Sequence, residues 1–279
     1  MPAHEHISVG KQQSGAPKDE RSNMEYTIDR FHNGAFEVAQ PAKGGHRAGL
    51  DALLLAASLK SESTGLVADL GAGCGTAGLA ALNLNRELDL LSVELNADMF
   101  NLLKLSLSRS ANARFKGRTS VLKADVTFSG AERFDQGLED NSVDHVIMNP
   151  PYNTSSYRPP ANAIKHDAYV LGDGGLDAWF RTAAAILRIG GSFNLIYRSE
   201  EIGSVVACAR GRFGGLEIVP IHSRASEAAK RMLVCGVRGS KAPLSILPGF
   251  VVHNEDGSFT ERADAIFNGT QRLFDQVPV

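Results

Sequence analysis

The sequence has no apolar run approaching the roughly 20 residues that a helix needs to cross a bilayer. Its first 23 residues, MPAHEHISVGKQQSGAPKDERSN, hold no apolar stretch of the kind that directs export. The expectation is a cytoplasmic protein, neither secreted nor embedded in a membrane. Cysteine is scarce as well. The three present, Cys74, Cys208 and Cys235, are odd in number and far apart, with no CxxC pair and no histidine at ligand spacing. This pattern argues against a disulfide framework and a structural metal, and it predicts reduced thiols. Nor is there an excess of one charge: 29 Lys+Arg face 31 Asp+Glu, a net −2. A globally basic nucleic-acid coat is thereby excluded, and any polyanion site must be a local patch. No internal repeat is visible, and nothing specifies an oligomeric state.

What is present is enough apolar residue to bury a core. With 279 residues, 43% of them hydrophobic, the chain can form one large α/β domain or two small ones. Residues 1–23 are polar and contain Gly, Pro and Ser, so they read as a disordered tail, with 24–279 as one domain ending in an extension. In HRAGLDALLLAASLK, Leu50, Leu53, Leu54 and Ala57 fall at helical spacing and predict an amphipathic helix. Short apolar runs at 65–73, 89–95, 119–125, 143–149 and 191–198 then alternate with helical stretches. That order implies a parallel sheet with helices on both faces. Before the fifth run, Leu176, Trp179, Phe180, Ala183, Ala184 and Leu187 mark a helix expected to end at Gly190-Gly191. Runs at 216–223 and 231–239, with no long helix between them, predict an antiparallel hairpin at one edge. The fold class is therefore α/β, a seven-stranded, mostly parallel sheet. Residues 250–267 read as a small β-element and a short helix.

Chemistry enters at DLGAGCG, Asp69 to Gly75, a glycine-rich turn that follows the first parallel strand and opens a helix. Its N–H groups and missing side chains suit the approach of a nucleotide-like ligand, although a plain tight turn would have the same glycines. Glu94 at the end of the second strand can accept two ribose hydroxyls, and Asp125 at the end of the third can meet an adenine amino group. Asn149 ends the fourth. Carboxyl ends of adjacent parallel strands border one crevice, so Asp69, Glu94, Asp125 and Asn149 are expected to converge on it. A charged hydrogen bond there is worth about 1.5–3 kcal/mol.

The fourth strand ends in MNPPYN, with Asn149, Pro150, Pro151 and Tyr152 in succession. DLGAGCG, Glu94, Asp125 and NPPY together resemble the motifs of class I S-adenosylmethionine-dependent methyltransferases, specifically the amino-methylating group. The resemblance covers about residues 35–250 and implies a Rossmann-like fold with S-adenosylmethionine as cofactor. A dehydrogenase also uses a glycine-rich turn and a ribose acid, but it leaves Asn149 to Tyr152 unexplained. An exocyclic adenine amine, like a glutamine amide, is a poor nucleophile because its lone pair is delocalised. The Asn149 side-chain oxygen and the Pro150 carbonyl are suited to accept its two N–H hydrogens and favour a pyramidal nitrogen. Pro150 and Pro151 fix the backbone that aims that carbonyl, and Tyr152 can stack on a planar substrate for about 1–3 kcal/mol. The plainer alternative is a rigid turn capping a strand. Transfer of this kind needs no cysteine nucleophile, and Cys74 reads as a packing residue within the cofactor turn.

Two flanking stretches, QPAKGGHRAGLDALLLAA at 40–57 and AAKRMLVCG at 228–236, are similar to segments of bacterial enzymes that methylate adenine N6 beside the anticodon of valine tRNA. The resemblance implies tRNA as partner. It implies cofactor contacts from Arg47, Asp51, Asp69, Gly71, Ala72, Gly73, Cys74, Gly75, Glu94, Leu95, Ala124, Asp125 and Asn149. Lys43, His46, Arg158, Lys165, His166, Arg224, Lys230 and Arg231 are candidates for RNA phosphate contacts, against the ordinary alternative of solvated surface charge. The loop 153–169 suits closure over a substrate. Other substrates that the same motif fits are a protein glutamine, methylated at N5, and a small amine. A different class, an oxidoreductase or a non-catalytic nucleotide-binding module, is separated from these by whether NAD or S-adenosylmethionine binds and whether a methyl is transferred.

Overall fold

The computed structural model describes residues 24–42, 49–151, 153–154, 170–171 and 174–274. The chain opens with an antiparallel hairpin that the reading of the sequence missed, β1 (Tyr26–Phe31) and β2 (Phe36–Pro41). The signal was present in HNG. His32, Asn33 and Gly34 all have positive φ, the turn chemistry that Asn-Gly favours. Asn112, fully buried, holds β2 by accepting from the Glu37 N–H at 3.0 Å and donating to the Glu37 carbonyl at 2.6 Å.

Helix α1 (Leu50–Ala57) follows, then the alternating core: β3 (Gly65–Leu70), α2 (Thr76–Leu84), β4 (Leu88–Val93), α3 (Ala97–Ser108), β5 (Thr119–Leu122), α4 (Gly130–Asp135) and β6 (Val143–Met148). Two-residue strands β7 (Asn153–Thr154) and β8 (Val170–Leu171) pair with each other, apart from the main sheet. The chain continues through α5 (Gly175–Ile186), β9 (Leu187–Arg198), α6 (Ile202–Ala209), β10 (Phe213–His222) and β11 (Arg231–Arg238). Short strands β12 (Ser245–Ile246) and β13 (Phe250–Val251) and helix α7 (Glu261–Phe267) complete the described chain.

The main sheet runs β12-β10-β11-β9-β6-β3-β4-β5, with β13 also on β10. All seven expected strands are present, and β12 and β13 bring the total to nine. Among these strands only β11 is reversed: it is antiparallel to both β9 and β10. It lies between them, so the expected hairpin partners are adjacent, but their outer side is covered by β12 and β13. One apolar layer, containing Leu54, Leu79, Ile147, Ile196, Leu233 and Ile266, packs α1, α2 and α7 on one face. The other, containing Leu70, Met148, Trp179, Phe180, Phe193 and Val205, packs α5 and α6 on the opposite face.

Two helix expectations need correction. Every residue of α1 from Ala52 to Ala57 is buried, so this helix is enclosed rather than amphipathic. It packs against α2, α7 and β9, which leaves it no solvent face. The helix before the fifth strand ends at Ile186 rather than at Gly190-Gly191, and Leu187 already belongs to β9. The glycine pair serves the strand instead: a side chain on Gly191 would lie 2.7 Å from the Asp144 carbonyl, beside the irregularity where β6 and β9 shift register. The 250–267 element is present as expected, with Phe250, Val252, Ile266 and Phe267 in the core.

Candidate active site

Because β6, β3, β4 and β5 are neighbours running the same way, their C-terminal ends form one edge. Asp69, Glu94, Asp125 and Asn149 are all found along it. Asp69 is within β3, and Glu94 and Asn149 directly follow β4 and β6. Asp125 lies beyond β5, which ends at Leu122 rather than at the expected residue.

The glycine turn is built largely by its own packing. Gly71, Gly73 and Gly75 have φ of 69°, 57° and 89°, a region costly to other residues. A side chain on Gly71 would lie 2.5 Å from Trp179 Cη2, and one on Gly75 would lie 2.6 Å from Leu103 Cδ1. Gly73 is open by comparison, with Met99 Cε at 3.7 Å.

Glu94 ties the turn to the next helix. One oxygen accepts from the Gly73 N–H at 2.7 Å, the other from the Asn96 N–H at 2.8 Å. Asn96 then caps α3 by accepting from Asp98 and Met99. Burial pushes the Glu94 carboxyl upward, partly offset by these backbone bonds. Each carboxylate oxygen offers two acceptor positions, so acceptor capacity for a ribose hydroxyl remains beside the backbone donors Gly73, Asn96 and Leu95. Asp69 accepts from the Gly78 N–H at 3.0 Å inside the protein. Burial, with the Glu94 charge adding to it, pushes its carboxyl up to about 7.

Asp125 uses Oδ1 for the Thr127 N–H and hydroxyl, at 2.8 and 2.6 Å; its Oδ2 has no partner among the described residues. Ala124 is buried beneath, and Leu95 is 54% exposed at the rim. Ala72 anchors the turn by donating to the Val93 carbonyl, and Cys74 is buried, as a packing residue should be. Asn149 and Pro151 are half-buried and Pro150 is buried. Since Met148 pairs with Leu70 on one side and Leu195 on the other, Asn149 leaves the sheet directly beside Gly71.

Two residues at this edge escaped the sequence reading. Trp179, under Gly71, was seen only as a core position. Tyr197, buried in β9, brings its hydroxyl to 3.5 Å from the Pro151 carbonyl. Burial raises that phenol to about 12, so it stays protonated as a donor. The crevice rule, applied to the fifth strand as to the first four, would have found it.

Asp51 and Arg231 form an ion pair across the top of α1 and β11. Arg231 also faces Arg198 on β9, itself paired with Glu200 at 2.9 Å. Arg224 is paired with Glu227 at 3.0 Å, and Lys230 is exposed. Arg224 and Arg231 are thus already engaged by acids rather than standing as unpaired cations. Lys43, His46, Arg47, Tyr152, Arg158, Lys165 and His166 lie outside the described residues, as do the 1–23 tail and most of the 153–169 loop.

A cavity of about 640 Å³ opens at the opposite edge, lined by Lys60, His145, Ser192, Asn194 and Glu217 among others. Several of its polar groups are mutually bonded, including His145 Nδ1 with Ser192 Oγ at 2.8 Å and Asn194 with Ser58 at 3.1 Å. It is remote from the crevice residues. Among the described residues no cluster of potential metal ligands is found, and no helix is long and apolar enough to cross a membrane.

Residues 47–219 match the model of the methyltransferase small domain family. The chain belongs to this family. The methyltransferase is 36% identical to a crystal structure of a predicted O-methyltransferase, protein Atu636 from Agrobacterium tumefaciens, over 81% of its own length and 100% of that chain, with a TM-score of 0.70. It is 22% identical over 255 residues to the tRNA1(Val) (adenine(37)-N6)-methyltransferase of Shewanella sediminis, covering 88% of this chain and 98% of that one. The cofactor of the methyltransferase is S-adenosylmethionine. The residues present fit it: an open Gly73, a half-buried Glu94 with acceptor capacity to spare, and Asp125 Oδ2 along one edge.

Proposed function

We propose that the protein methylates the exocyclic N6 amine of an adenine in RNA, with the anticodon loop of a valine tRNA as substrate. The observation that carries this reading is the position of Asn149-Pro150-Pro151, leaving β6 directly beside the glycine turn. S-adenosylmethionine supplies an electrophilic methyl group on a sulfonium centre. Asn149 and the Pro150 carbonyl accept the two amine hydrogens and hold the nitrogen lone pair toward the crevice. Pro150 and Pro151 fix that carbonyl before substrate arrives, so little reorganisation is needed at the moment of reaction. Tyr152 stacks on the base. The extra proton on the methylated nitrogen passes to solvent, so no side chain must be a strong base.

In this reading Glu94 receives the ribose hydroxyls, Asp125 the adenine amino group of the cofactor, and the Gly71–Gly75 turn the remainder. Lys230 and Arg231 meet the RNA backbone, with Arg231 exchanging Asp51 for phosphate. An anticodon loop exposes its bases, which lowers the cost of taking one from its stack. The similarity to the Shewanella enzyme over most of both chains supports this substrate. The three cysteines, none of them in a disulfide among the described residues, and the RNA substrate fit a cytoplasmic location.

The test is incubation of the purified protein with labelled S-adenosylmethionine and total tRNA from cells lacking the gene, followed by nucleoside analysis. The expected product is N6-methyladenosine. A methylated hydroxyl instead would favour the chemistry named for the Agrobacterium relative. No product in tRNA, with the cofactor still bound, would move the search to protein glutamines and small amines.

A further inference from the structure

Arg198 ends β9 and Arg231 begins β11, and the two stand directly opposite each other across the antiparallel pairing of these strands. Directly opposed residues share a face of the sheet, and like charges in that position destabilise it. The face is the one covered by α1. Ile196 and Leu233, two residues further in along each strand, belong to the apolar layer there, and Arg231 reaches Asp51 in the first turn of α1. Arg198 is held by Glu200 at 2.9 Å and Glu201 at 3.6 Å. Two arginines side by side are thus offset by three carboxylates, an arrangement that packing alone does not call for. It lies at the crevice end of the sheet. β9 runs parallel to β6, so Arg198 is at the edge where Asn149 leaves β6, and its neighbour Tyr197 brings its hydroxyl to 3.5 Å from the Pro151 carbonyl. Neither arginine is sealed in: the side chains are 34% and 32% exposed.

We propose that Arg198 and Arg231 together grip one backbone phosphate of the substrate RNA beside the target adenine, with Asp51, Glu200 and Glu201 as the counter-ions that this phosphate displaces; this rests on the RNA-methylating reading and adds Arg198 to it. A guanidinium is planar, always charged and carries a fork of N–H donors that matches phosphate oxygens two at a time. Two such forks on adjacent strands can close on one tetrahedral anion. Ion pairs as exposed as these contribute little to stability, so exchanging carboxylates for a phosphate that bonds both arginines is favourable. Where one arginine is removed, the other returns to its carboxylate. The two therefore act as a unit. A protein glutamine brings no phosphate to this point, so the pair also selects RNA over that substrate class.

The test is filter binding of a valine tRNA transcript over a salt series, with S-adenosylhomocysteine present, for wild type, Arg198→Ala, Arg231→Ala and the double variant. Each single change should weaken binding by about tenfold and lower the salt slope of log K by about 1. The double variant should bind within about twofold of either single one and lose no further slope, because the one shared phosphate has already been released. Losses that add, a slope lowered by about 2 in the double variant, or a wild-type slope in Arg198→Ala overturn the proposal. Glu200→Gln gives a second reading at a side chain 68% exposed, where folding is not at stake. Removing this counter-ion should tighten tRNA binding by about two- to fivefold, and the gain should vanish in an Arg198→Ala background. No tightening, or tightening that persists without Arg198, overturns the proposal as well. Calorimetry with S-adenosylhomocysteine separates the other anion that could sit here, the cofactor's carboxylate: were that the ligand, the arginine variants would lose affinity for S-adenosylhomocysteine while the tRNA slope held. Wild type that binds S-adenosylhomocysteine but shows no salt-dependent binding of tRNA would overturn the RNA reading itself, whereas failure of this inference alone leaves wild-type tRNA binding intact.

Discussion

Replacing Gly71 by alanine should expose how tightly the cofactor turn is tied to the helix below it. The added methyl would lie 2.5 Å from Trp179 Cη2 and 3.0 Å from Cζ3. Ordinary carbon contacts are about 3.5–4.0 Å, so the ring or the turn must move by about 1 Å. Overpacking of this kind costs about 1–3 kcal/mol, and holding alanine at φ 69° adds about 1–2 kcal/mol. The expected loss is about 2–5 kcal/mol. Gly73→Ala is the control. Its φ is 57°, also left-handed, but its methyl would meet only Met99 Cε at 3.7 Å. It should therefore show the backbone cost without the overlap. Urea denaturation followed by circular dichroism gives both values. In a Trp179→Phe background, where the benzo carbons are absent, the excess cost of Gly71→Ala should largely disappear, a coupling of about 1–3 kcal/mol in the double-mutant cycle. Equal losses for the two glycine variants, or no relief in the Phe background, would refute this account of the turn.

Asp69 provides a pH test. Its folded-state carboxyl titrates at about 7, above the unfolded value of about 3.9. The folded state thus holds its proton more tightly, and stability is fully present below about pH 4 and falls as pH rises toward 7. Asp69→Asn can still accept from Gly78 and does not titrate. Its stability relative to wild type should therefore rise between pH 5 and pH 8 by about 2–4 kcal/mol, measured by denaturation at each pH; a difference independent of pH would contradict the assignment. Arg231→Ala should weaken tRNA binding alike across sequences and lower the salt slope of log K by about 1, as filter binding over a salt series would show. An unchanged slope would remove Arg231 from the RNA interface.

The sheet was legible because buried parallel strands are short apolar runs, and DLGAGCG, DLLSVEL and VDHVIMN each contain the residue that occupies the crevice edge: Asp69, Glu94 and Asn149. The hairpin β1–β2 was missed because its alternation is weak: all six residues of β2 are buried, so period-two polarity is absent and only HNG marked the turn. Strands β12 and β13, at two residues each, are set by pairing with β10 rather than by any local pattern. The helix boundary at Ile186 was misplaced for a related reason. Gly190 and Gly191 signal a helix end in isolation, but here Gly191 relieves contact with the neighbouring strand at Asp144 and Gly190 takes a left-handed φ of 84° within the strand. At the site, Glu94 and Asn149 could be read from strand ends, whereas Trp179 and the pairing of Asp51 with Arg231 are tertiary facts. No spacing rule joins residues that far apart.

The central claim is that Asn149 activates an amine, beyond any contact it makes with the cofactor. It is tested most directly by comparing Asn149→Ala with wild type in two measurements: methyl transfer to tRNA under single-turnover conditions, and affinity for S-adenosylhomocysteine. Loss of an acceptor used chiefly in the transition state predicts a fall in rate of about a hundredfold or more, with affinity changed by no more than about threefold. A variant that keeps its rate, or one whose lost rate is matched by lost cofactor affinity, would contradict the account.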